Sequence, residues 1–338
     1  MQQRLTELWY APARVSLLQP LGWLYAAAMG ARRALYRRGL LHTVRLPKPV
    51  IIVGNLTVGG TGKTPLTLWL AAALTAQGRR VGIVSRGYGR QERGVQAVTA
   101  ASDWRQVGDE PLLLAQRSGC ATVVAQDRAA GAATLIAQGA DLVVADDGLQ
   151  HLQLARDCEL VVVDGARGFG NGRVLPAGPL RESLAQLARA DLVIVNGAAE
   201  HASLAGLPAG RTLTMQLAMA DAVRVDGQGA ARALRDFRGQ RVHAVAGIGN
   251  PARFFRALRA QGIEPIEHPF PDHHPFSAQD FAFGDAALVL MTEKDAVKCA
   301  GFADARLWCV PVTAQFSAPD AQALVHQVLA RIDSRTAA

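Results

Sequence analysis

A glycine-rich loop that ends in a lysine constrains this chain more than any other feature. The loop follows the apolar run Ile51 to Val53 and precedes a helix-sized segment that starts near Pro65. In such a loop, successive backbone amides turn toward phosphate oxygens, and the start of the helix adds partial positive charge. The order of strand, loop and helix therefore predicts a P-loop. Its predicted nucleotide-binding residues are Thr57, Val58, Gly59, Gly60, Thr61, Gly62, Lys63 and Thr64.

The P-loop predicts ATP and Mg²⁺ as ligands, with Lys63 at the β- and γ-phosphates. The Thr64 hydroxyl is a candidate Mg²⁺ ligand, and a carboxylate is expected at the end of a nearby strand. Asp146 and Asp147 directly follow an apolar run and fit that expectation. Glu182 is a third candidate metal ligand, although an acid at a helix N-terminus is its alternative. Which of these acids contacts the metal directly stays open.

From residue 48 onward, short apolar runs alternate with helix-sized segments. Continuous apolar runs are typical of strands that are buried on both faces of a parallel sheet. The pattern predicts an α/β fold: a P-loop NTPase-like, doubly wound parallel sheet with a second, smaller α/β domain. The predicted boundaries are 1–40 for an N-terminal membrane-associating helix, 41–210 for the P-loop core, 211–240 for an extended linker, and 241–338 for the smaller domain that closes over the nucleotide.

The N-terminal region carries an uncharged apolar run from Val15 to Ala31, which includes Trp23 and Tyr25. A spanning helix needs about 20 strongly apolar residues, and this run is shorter and interrupted. Arginines follow at once and would be drawn to anionic lipid. The run therefore predicts an interfacial anchor on an anionic membrane surface. A helix packed on its own domain and a cleaved secretory signal are the alternatives.

The charge balance favours polyanionic partners without choosing among them. The chain has 36 Lys and Arg against 28 Asp and Glu, which gives a formal charge of +8. Its four cysteines form no CxxC pair, so neither a zinc site nor a disulfide framework is indicated, and a reducing cytoplasm fits best.

Several further motifs stand in an order that resembles one family, the tetraacyldisaccharide 4'-kinases of lipid A biosynthesis. The resemblance covers nearly the whole chain and rests on the joint order of these motifs rather than on the P-loop alone. They are Val53 to Leu56, Ser85 to Arg90, Val107 to Pro111, Asp146 to His151, Leu175 to Glu182, Gly247 to Pro251, Phe270 to His274 and Thr292 to Ala296.

The resemblance implies transfer of the ATP γ-phosphate to the 4'-hydroxyl of tetraacyldisaccharide 1-phosphate at the cytoplasmic face of the bacterial inner membrane. A sugar hydroxyl is a poor nucleophile, so a carboxylate must orient it and accept its proton. Asp109 is the implied base, and His273 is expected to pair with it. A metal held by His273 and His274 is the weaker alternative, because no further His or Cys has ligand spacing.

The remaining implied site residues are assigned by the same resemblance. Arg86, Tyr88, Arg128 and Arg181 are expected to bind the lipid substrate, with surface arginines in salt bridges as the alternative. Nucleotide contacts in the smaller domain are expected from Thr292, Glu293 and Asp295. Neither nucleic acid nor an obligate protein partner is expected.

Two hypotheses of other classes remain beside the kinase. One is a membrane-bound P-loop switch whose nucleotide cycle acts on a protein partner, and the other is a nonenzymatic binder of anionic lipid. Acceptor dependence separates the three, because a switch hydrolyses nucleotide without a sugar lipid and a binder turns nothing over.

Overall fold

The computed structural model describes residues 8–10, 17–90 and 92–335, and these form two sheets of nine and five strands. The nine-stranded sheet contains β1 (Val50–Gly54), β2 (Val81–Ser85), β3 (Gln96–Val98), β4 (Ala121–Val124), β5 (Leu142–Asp146), β6 (Cys158–Asp164), β7 (Leu192–Asn196), β8 (Thr212–Met219) and β14 (Val312–Phe316). The five-stranded sheet contains β9 (Val223–Arg224), β10 (Arg241–Ala246), β11 (Glu264–Pro269), β12 (Val289–Thr292) and β13 (Leu307–Val310).

Helices cover both sheets. They are α1 (Gln19–Arg37), α2 (Lys63–Ala76), α3 (Trp104–Val107), α4 (Asp109–Ser118), α5 (Arg128–Ala137), α6 (Pro251–Ala260), α7 (Glu293–Cys299) and α8 (Ala318–Asp333). Short 3₁₀ segments cover Leu184–Arg189, Ala202–Leu204, Ala209–Arg211, Leu234–Phe237 and Ala278–Phe281.

The large sheet confirms the predicted fold class. Its strand order is β14-β8-β7-β6-β1-β5-β2-β4-β3, and every pair from β8 to β4 is parallel, while the two outermost pairs are antiparallel. The central strand β1 is buried along its whole length, because apolar layers cover both faces of the sheet. The carboxyl ends of β1 and β5 lie side by side, so the loop after β1 meets Asp146, the last residue of β5, and Asp147 at one edge of the sheet.

The division of the chain between the sheets differs from the predicted boundaries. We call the nine-stranded sheet with its helices the large lobe, and the five-stranded sheet with α6 and α7 the small lobe. Strand β8, predicted as part of a linker, pairs with β7 in the large sheet. Strand β14 and helix α8, predicted in the smaller domain, pack on the large sheet instead. Apolar periodicity identifies an element but does not say which sheet it joins.

The chain therefore passes between the lobes twice within the described residues, once after β8 and once before β14. The two crossings run side by side, since Ala220 N donates a hydrogen bond to Pro311 O at 2.9 Å. Paired crossing segments of this kind fix the two lobes relative to each other more tightly than a single linker would.

Helix α1 packs one face on the large lobe and leaves an apolar face uncovered. Gly22 is buried, and a Cβ built there would lie 3.2 Å from the Ala177 Cβ, so a larger residue would push the helix away from the large lobe by a few tenths of an ångström. Leu21, Trp23 and Leu24 are more than half exposed. Among the described residues, none of the helices has the length and apolar character needed to cross a membrane. Val15 and Ser16 of the predicted anchor lie outside the described residues.

Candidate active site

The P-loop follows β1, and its last two residues, Lys63 and Thr64, begin α2, which matches the predicted order of strand, loop and helix. Gly62 caps the helix with a φ of 101°, in the left-handed region that favours glycine. A Cβ at this position would lie 2.5 Å from the Asn196 Nδ2, and that amide donates a hydrogen bond to Thr61 O at 2.8 Å. Glycine is thus required both for the backbone conformation and for the close approach of Asn196, which fixes the shape of the loop.

Lys63 points back into the loop rather than toward solvent. Its Nζ donates to Asn55 Oδ1 at 3.2 Å and lies 3.5 Å from Asp147 Oδ1. Asn55 is completely buried and directly follows β1. The amide oxygen and the carboxylate therefore hold the ammonium beside the glycine-rich loop.

Asp146 offers a buried carboxylate oxygen without a hydrogen-bond partner. Its Oδ1 accepts from the Thr67 hydroxyl at 3.1 Å, whereas Oδ2 has no partner. Burial, together with the negative charges of Glu110 and Asp147, raises the pKa of Asp146 to about 7. A nearby cation would stabilise the ionised form of this buried carboxyl group. The unpartnered Oδ2 of Asp146 therefore fits the coordination of a divalent metal.

Asp147 has the opposite electrostatic environment. Burial would raise the pKa of Asp147, but Lys63 and Arg181 outweigh it and hold this pKa well below the usual range. Arg181 Nη1 lies 3.0 and 3.1 Å from the two carboxylate oxygens of Asp147. Asp147 also has a φ of 49°, which is uncommon for a residue other than glycine. Its charge and its direction are therefore both fixed by the protein.

Glu182, the third predicted metal ligand, pairs with helix α1. One carboxylate oxygen accepts from the Arg33 guanidinium, while Oε1 is buried without a partner. No group of three or more His, Cys, Asp or Glu side chains that could hold a metal occurs among the described residues. Glu182 as a metal ligand stays a prediction. Its unpartnered Oε1 could contact a metal, whereas Oε2 is occupied by the ion pair with Arg33.

Asp109 and His273 meet across the boundary between the lobes. Asp109 begins α4 in the large lobe, and His273 follows β11 in the small lobe. His273 Nδ1 lies 3.0 Å from Asp109 Oδ2 and 3.1 Å from Oδ1. His273 has a φ of 62°, and Asp147 is the only other non-glycine residue with a positive φ in the part of the chain described. Such backbone strain is concentrated at functional sites.

Asp109 is buried and His273 is partly buried, and their contact moves the pKa values of the two side chains in opposite directions. Burial would lower the pKa of His273, but its hydrogen bond to Asp109 raises it above the usual value. Burial would raise the pKa of Asp109, and the same hydrogen bond, with the nearby lysines of α7, lowers it instead. The carboxylate is therefore ionised at neutral pH and held in one orientation by the imidazole.

The predicted lipid-binding residues fall into different environments. Arg128 is buried, with Nε and Nη2 lacking partners, and burial lowers its pKa to about 10. The N–H groups of Arg128 that lack partners make its guanidinium suited to binding an anion.

Tyr88 is 63% exposed, and its ring centroid lies 4.9 Å from that of His273. Arg86 is close enough to affect the pKa of Arg128. Arg181, by contrast, directs its Nη1 at the carboxylate of Asp147.

Two residues predicted to contact the nucleotide from the small lobe have other uses. Asp295 is completely buried, and its Oδ2 accepts from both Gly247 N at 2.9 Å and the Thr292 hydroxyl at 2.6 Å. Glu293 pairs with Arg117 and accepts from Val312 N at 2.9 Å. These contacts, with the Lys298 ammonium on Asp295 Oδ1, occupy the oxygens of both carboxylates, and nucleotide contact by either acid stays a prediction. Thr292 caps α7.

The sequence did not single out Arg253, which connects the small lobe to the P-loop. Its guanidinium lies 3.1 Å from Asp164 Oδ2 and 2.7 Å from Asn196 Oδ1. Gly249 of the small lobe also packs directly on the loop, since a Cβ built there would lie 2.6 Å from Gly60 N. No motif signals Arg253, because its role depends on β6, β7 and α6 meeting in three dimensions.

Arg253→Met should raise the KM for ATP about three- to tenfold and lower the melting temperature, because the buried Asp164 carboxylate would lose its ion-pair partner and Asn196 its hydrogen-bond donor. Steady-state kinetics over an ATP titration and a thermal melt measure the two effects. Arg256→Met is the matched control, since Arg256 is exposed on the same helix. Equal KM values in the two variants would contradict the proposed link.

A parallel sheet with a P-loop after its central strand, paired acids after the neighbouring strand and a carboxylate–imidazole dyad beside them define a P-loop phosphotransferase. The model of the tetraacyldisaccharide-1-P 4'-kinase family matches residues 14–333. The chain belongs to the tetraacyldisaccharide 4'-kinase family, and this confirms the resemblance seen in the sequence.

Named relatives extend over nearly the whole chain. The tetraacyldisaccharide 4'-kinase of Alkalilimnicola ehrlichii is 51% identical over 324 residues, which cover 96% of this chain and 95% of the relative. That of Nitrosococcus oceani is 48% identical over 308 residues, covering 90% and 88%. A crystal structure described as the apo form of LpxK from Aquifex aeolicus in complex with ATP has a TM-score of 0.76 at 30% identity, covering 93% of this chain and 98% of that one.

Proposed function

We propose that this chain transfers the γ-phosphate of ATP to the 4'-hydroxyl of tetraacyldisaccharide 1-phosphate and so produces the bis-phosphorylated lipid A precursor. The observation that carries the proposal is the Asp109–His273 pair, with Nδ1 and Oδ2 3.0 Å apart. A nucleotide switch needs a positioned water, whereas a sugar kinase needs a carboxylate that accepts a hydroxyl proton. The dyad supplies such a carboxylate in its ionised form.

The chemistry follows from these groups. Lys63 and the P-loop amides hold the β- and γ-phosphates, and the start of α2 adds favourable charge. Asp109 orients the 4'-hydroxyl and takes its proton while the oxygen attacks the γ-phosphorus, and the bond from the γ-phosphorus to the bridging oxygen breaks to release ADP. His273 holds the Asp109 carboxylate in place and stabilises its charge. The transition state is loose, so positioning and charge supply most of the rate enhancement.

Thr64, Asp146 and Asp147 are the residues proposed to hold Mg²⁺, with Glu182 as a further candidate. The unpartnered Asp146 Oδ2 supports this assignment. When bound, the metal would neutralise charge on the β- and γ-phosphates. Magnesium sites of this class combine one or two carboxylates with phosphate oxygens, so a larger cluster of acids is not required.

The small lobe is proposed to cover the nucleotide and exclude water. Gly249 against the P-loop and His273 against Asp109 both support this arrangement. A closed cleft would also limit the transfer of phosphate to water instead of the sugar.

The exposed face of α1 is proposed to hold the protein on the cytoplasmic surface of the inner membrane, beside its lipid substrate. Trp23 and Leu24 are 66% and 68% exposed, and arginines follow on the same helix. Aromatic and apolar side chains of this kind insert into the headgroup region, while arginines contact anionic lipid.

The double variant Trp23→Glu/Leu24→Glu should reduce cosedimentation with anionic vesicles by about tenfold or more, because two apolar contacts become negative charges that repel the surface. Its ATP affinity should stay that of the parent protein. Leu40→Glu is the matched control, since Leu40 is equally exposed but follows α1. Undiminished sedimentation of the double variant would place the anchor elsewhere.

Label transfer tests the proposed function directly. The full chain is incubated with γ-³²P-ATP and tetraacyldisaccharide 1-phosphate in detergent micelles, with and without EDTA. Label should enter the lipid only with acceptor and divalent cation present. ATP hydrolysis that is independent of the acceptor, without labelled lipid, would favour the switch, and no turnover at all would favour the lipid binder.

A further inference from the structure

Lys298 is a completely buried lysine to which the chemistry above gives no role. Its side chain has no exposed surface, and its Nζ lies 2.9 Å from Asp295 Oδ1 and 3.8 Å from Asp109 Oδ2. The same Nζ lies 4.9 Å from the centroid of the Phe276 ring. Lys298 belongs to α7 of the small lobe, whereas Asp109 begins α4 of the large lobe. One buried ammonium thus faces a carboxylate of its own lobe and the proposed base of the other.

Asp295 holds this ammonium in a fixed position. Its second oxygen is occupied by Gly247 N and the Thr292 hydroxyl, so the carboxylate cannot rotate away. A buried lysine is costly unless it is paired and hydrogen-bonded. The Asp295 pair meets that requirement inside the small lobe, and it leaves the ammonium directed at the lobe boundary.

Asp109 lies in surroundings that would protonate an isolated carboxyl group. Its Oδ1 accepts from Glu110 N at 2.8 Å, and Lys294 Nζ lies 3.0 Å from the Glu110 carboxylate. Burial raises its pKa, while the His273 hydrogen bond and the charges of Lys294, His273 and Lys298 lower it by more. The charged or titratable groups that face it from its own helix, the loop after β11 and α7 are Glu110, Asp272, His273, Lys294 and Lys298.

We propose that Lys298 is a positioning residue for phosphate transfer: its ammonium, supplied by the small lobe, keeps the Asp109 carboxylate charged and in one orientation. The inference rests on the proposed role of Asp109 as the base. Since the ammonium comes from the opposite lobe, the base reaches its working state only while the lobes are in contact. Asp295 contributes indirectly, because it holds the Lys298 ammonium in the position from which it acts on Asp109.

Lys298→Met in the full chain tests the inference, because methionine keeps the apolar stem and removes the charge. The kcat for acceptor-dependent transfer should fall about 10- to 100-fold, with the KM for ATP changed by less than about twofold. The acid limb of the pH–kcat profile should move to higher pH. A carboxylate that loses a positive neighbour binds its proton more readily, and the base works only when ionised.

Two further variants show whether Lys298 positions Asp109 or only neutralises the charge of Asp295. Lys298→Met alone leaves the buried Asp295 carboxylate without its partner and could fail to fold. Lys298→Met/Asp295→Asn removes that carboxylate as well, so the same measurements can then be made on the double variant. It should keep the low kcat and the shifted acid limb. Lys298→Arg retains the charge, and its acid limb should stay at the position of the parent protein.

Restoration of the parent kcat and pH profile in the double variant would overturn the inference, since Lys298 would then serve Asp295 alone. An acid limb shifted equally by arginine and methionine would also overturn it. If the parent protein transfers phosphate and the methionine variants match it, only this inference fails. If the parent protein shows no acceptor-dependent transfer, the inference fails together with the proposed function.

Discussion

Asp109→Asn is expected to lower acceptor-dependent phosphate transfer about 100- to 10,000-fold and to leave ATP affinity nearly unchanged. The amide keeps the size of the side chain but cannot accept the hydroxyl proton, and general bases contribute rate factors of this order. Asp109 is on α4, and its nearest polar partners are His273 and the backbone of Glu110 rather than the P-loop. Single-turnover transfer and calorimetric ATP titration measure the two quantities.

Asp333→Asn is the matched control for this variant. Asp333 lies half-exposed at the end of α8, where it pairs with Arg79 at 2.7 Å, far along the chain from the dyad. Its transfer rate should equal that of the parent protein. Loss of ATP affinity in Asp109→Asn as large as its loss of rate would contradict the role of a base and assign Asp109 to nucleotide binding.

Lys63→Ala is expected to remove nearly all transfer and also to weaken ATP binding. The ammonium supplies a charge-assisted contact to the phosphates, so the Kd for ATP should rise roughly 10- to 100-fold. The variant also leaves Asn55 and Asp147 without the cation that now lies between them. The same calorimetric titration and transfer assay measure both effects.

Lys48→Ala serves as the control, because Lys48 is an exposed lysine just before β1. It should bind ATP and transfer phosphate at parental levels. An ATP affinity in Lys63→Ala equal to that of this control would mean that the loop does not hold the triphosphate, and the assignment of the P-loop would fail. The contrast between Lys63→Ala and Asp109→Asn is informative, since only the former should lose binding.

The parts of the site that the sequence predicted are those encoded in short segments. The P-loop and the acids after β5 lie within a few residues of a strand end, and parallel strands bring their carboxyl ends to one edge. The Asp109–His273 pair joins residues 164 positions apart, and it was predicted only through the resemblance to a family. Periodicity and spacing alone could not have paired them.

The missed residues act through tertiary contacts that leave no local pattern. Asn55, Asn196 and Arg253 shape the P-loop from three separate elements. A buried lysine such as Lys298 looks in sequence like any lysine on a short helix. Asp295 is the converse case, because its place in a motif predicted a ligand contact, whereas the structure shows a completely buried side chain paired with Lys298.

The boundaries of the lobes were missed for a related reason. The segment that forms β14 and α8 continues directly from the small lobe in sequence. Nothing in its composition indicates that the chain goes back to the large lobe. The return is visible only in the pairing of Val312–Phe316 with β8 and in the packing of Leu324, Val328 and Ile332 on the large sheet. Strand pairing is a property of the whole chain rather than of one segment.

The most direct measurement of the central claim is the position of the new phosphate on the product. The full chain is incubated with MgATP and tetraacyldisaccharide 1-phosphate, and the purified lipid is analysed by mass spectrometry and ³¹P–¹H correlation NMR. One added phosphate, coupled to the proton at C4', is the expected result. An unmodified lipid beside stoichiometric ADP and free phosphate, or a phosphate coupled to any other position, would contradict the account.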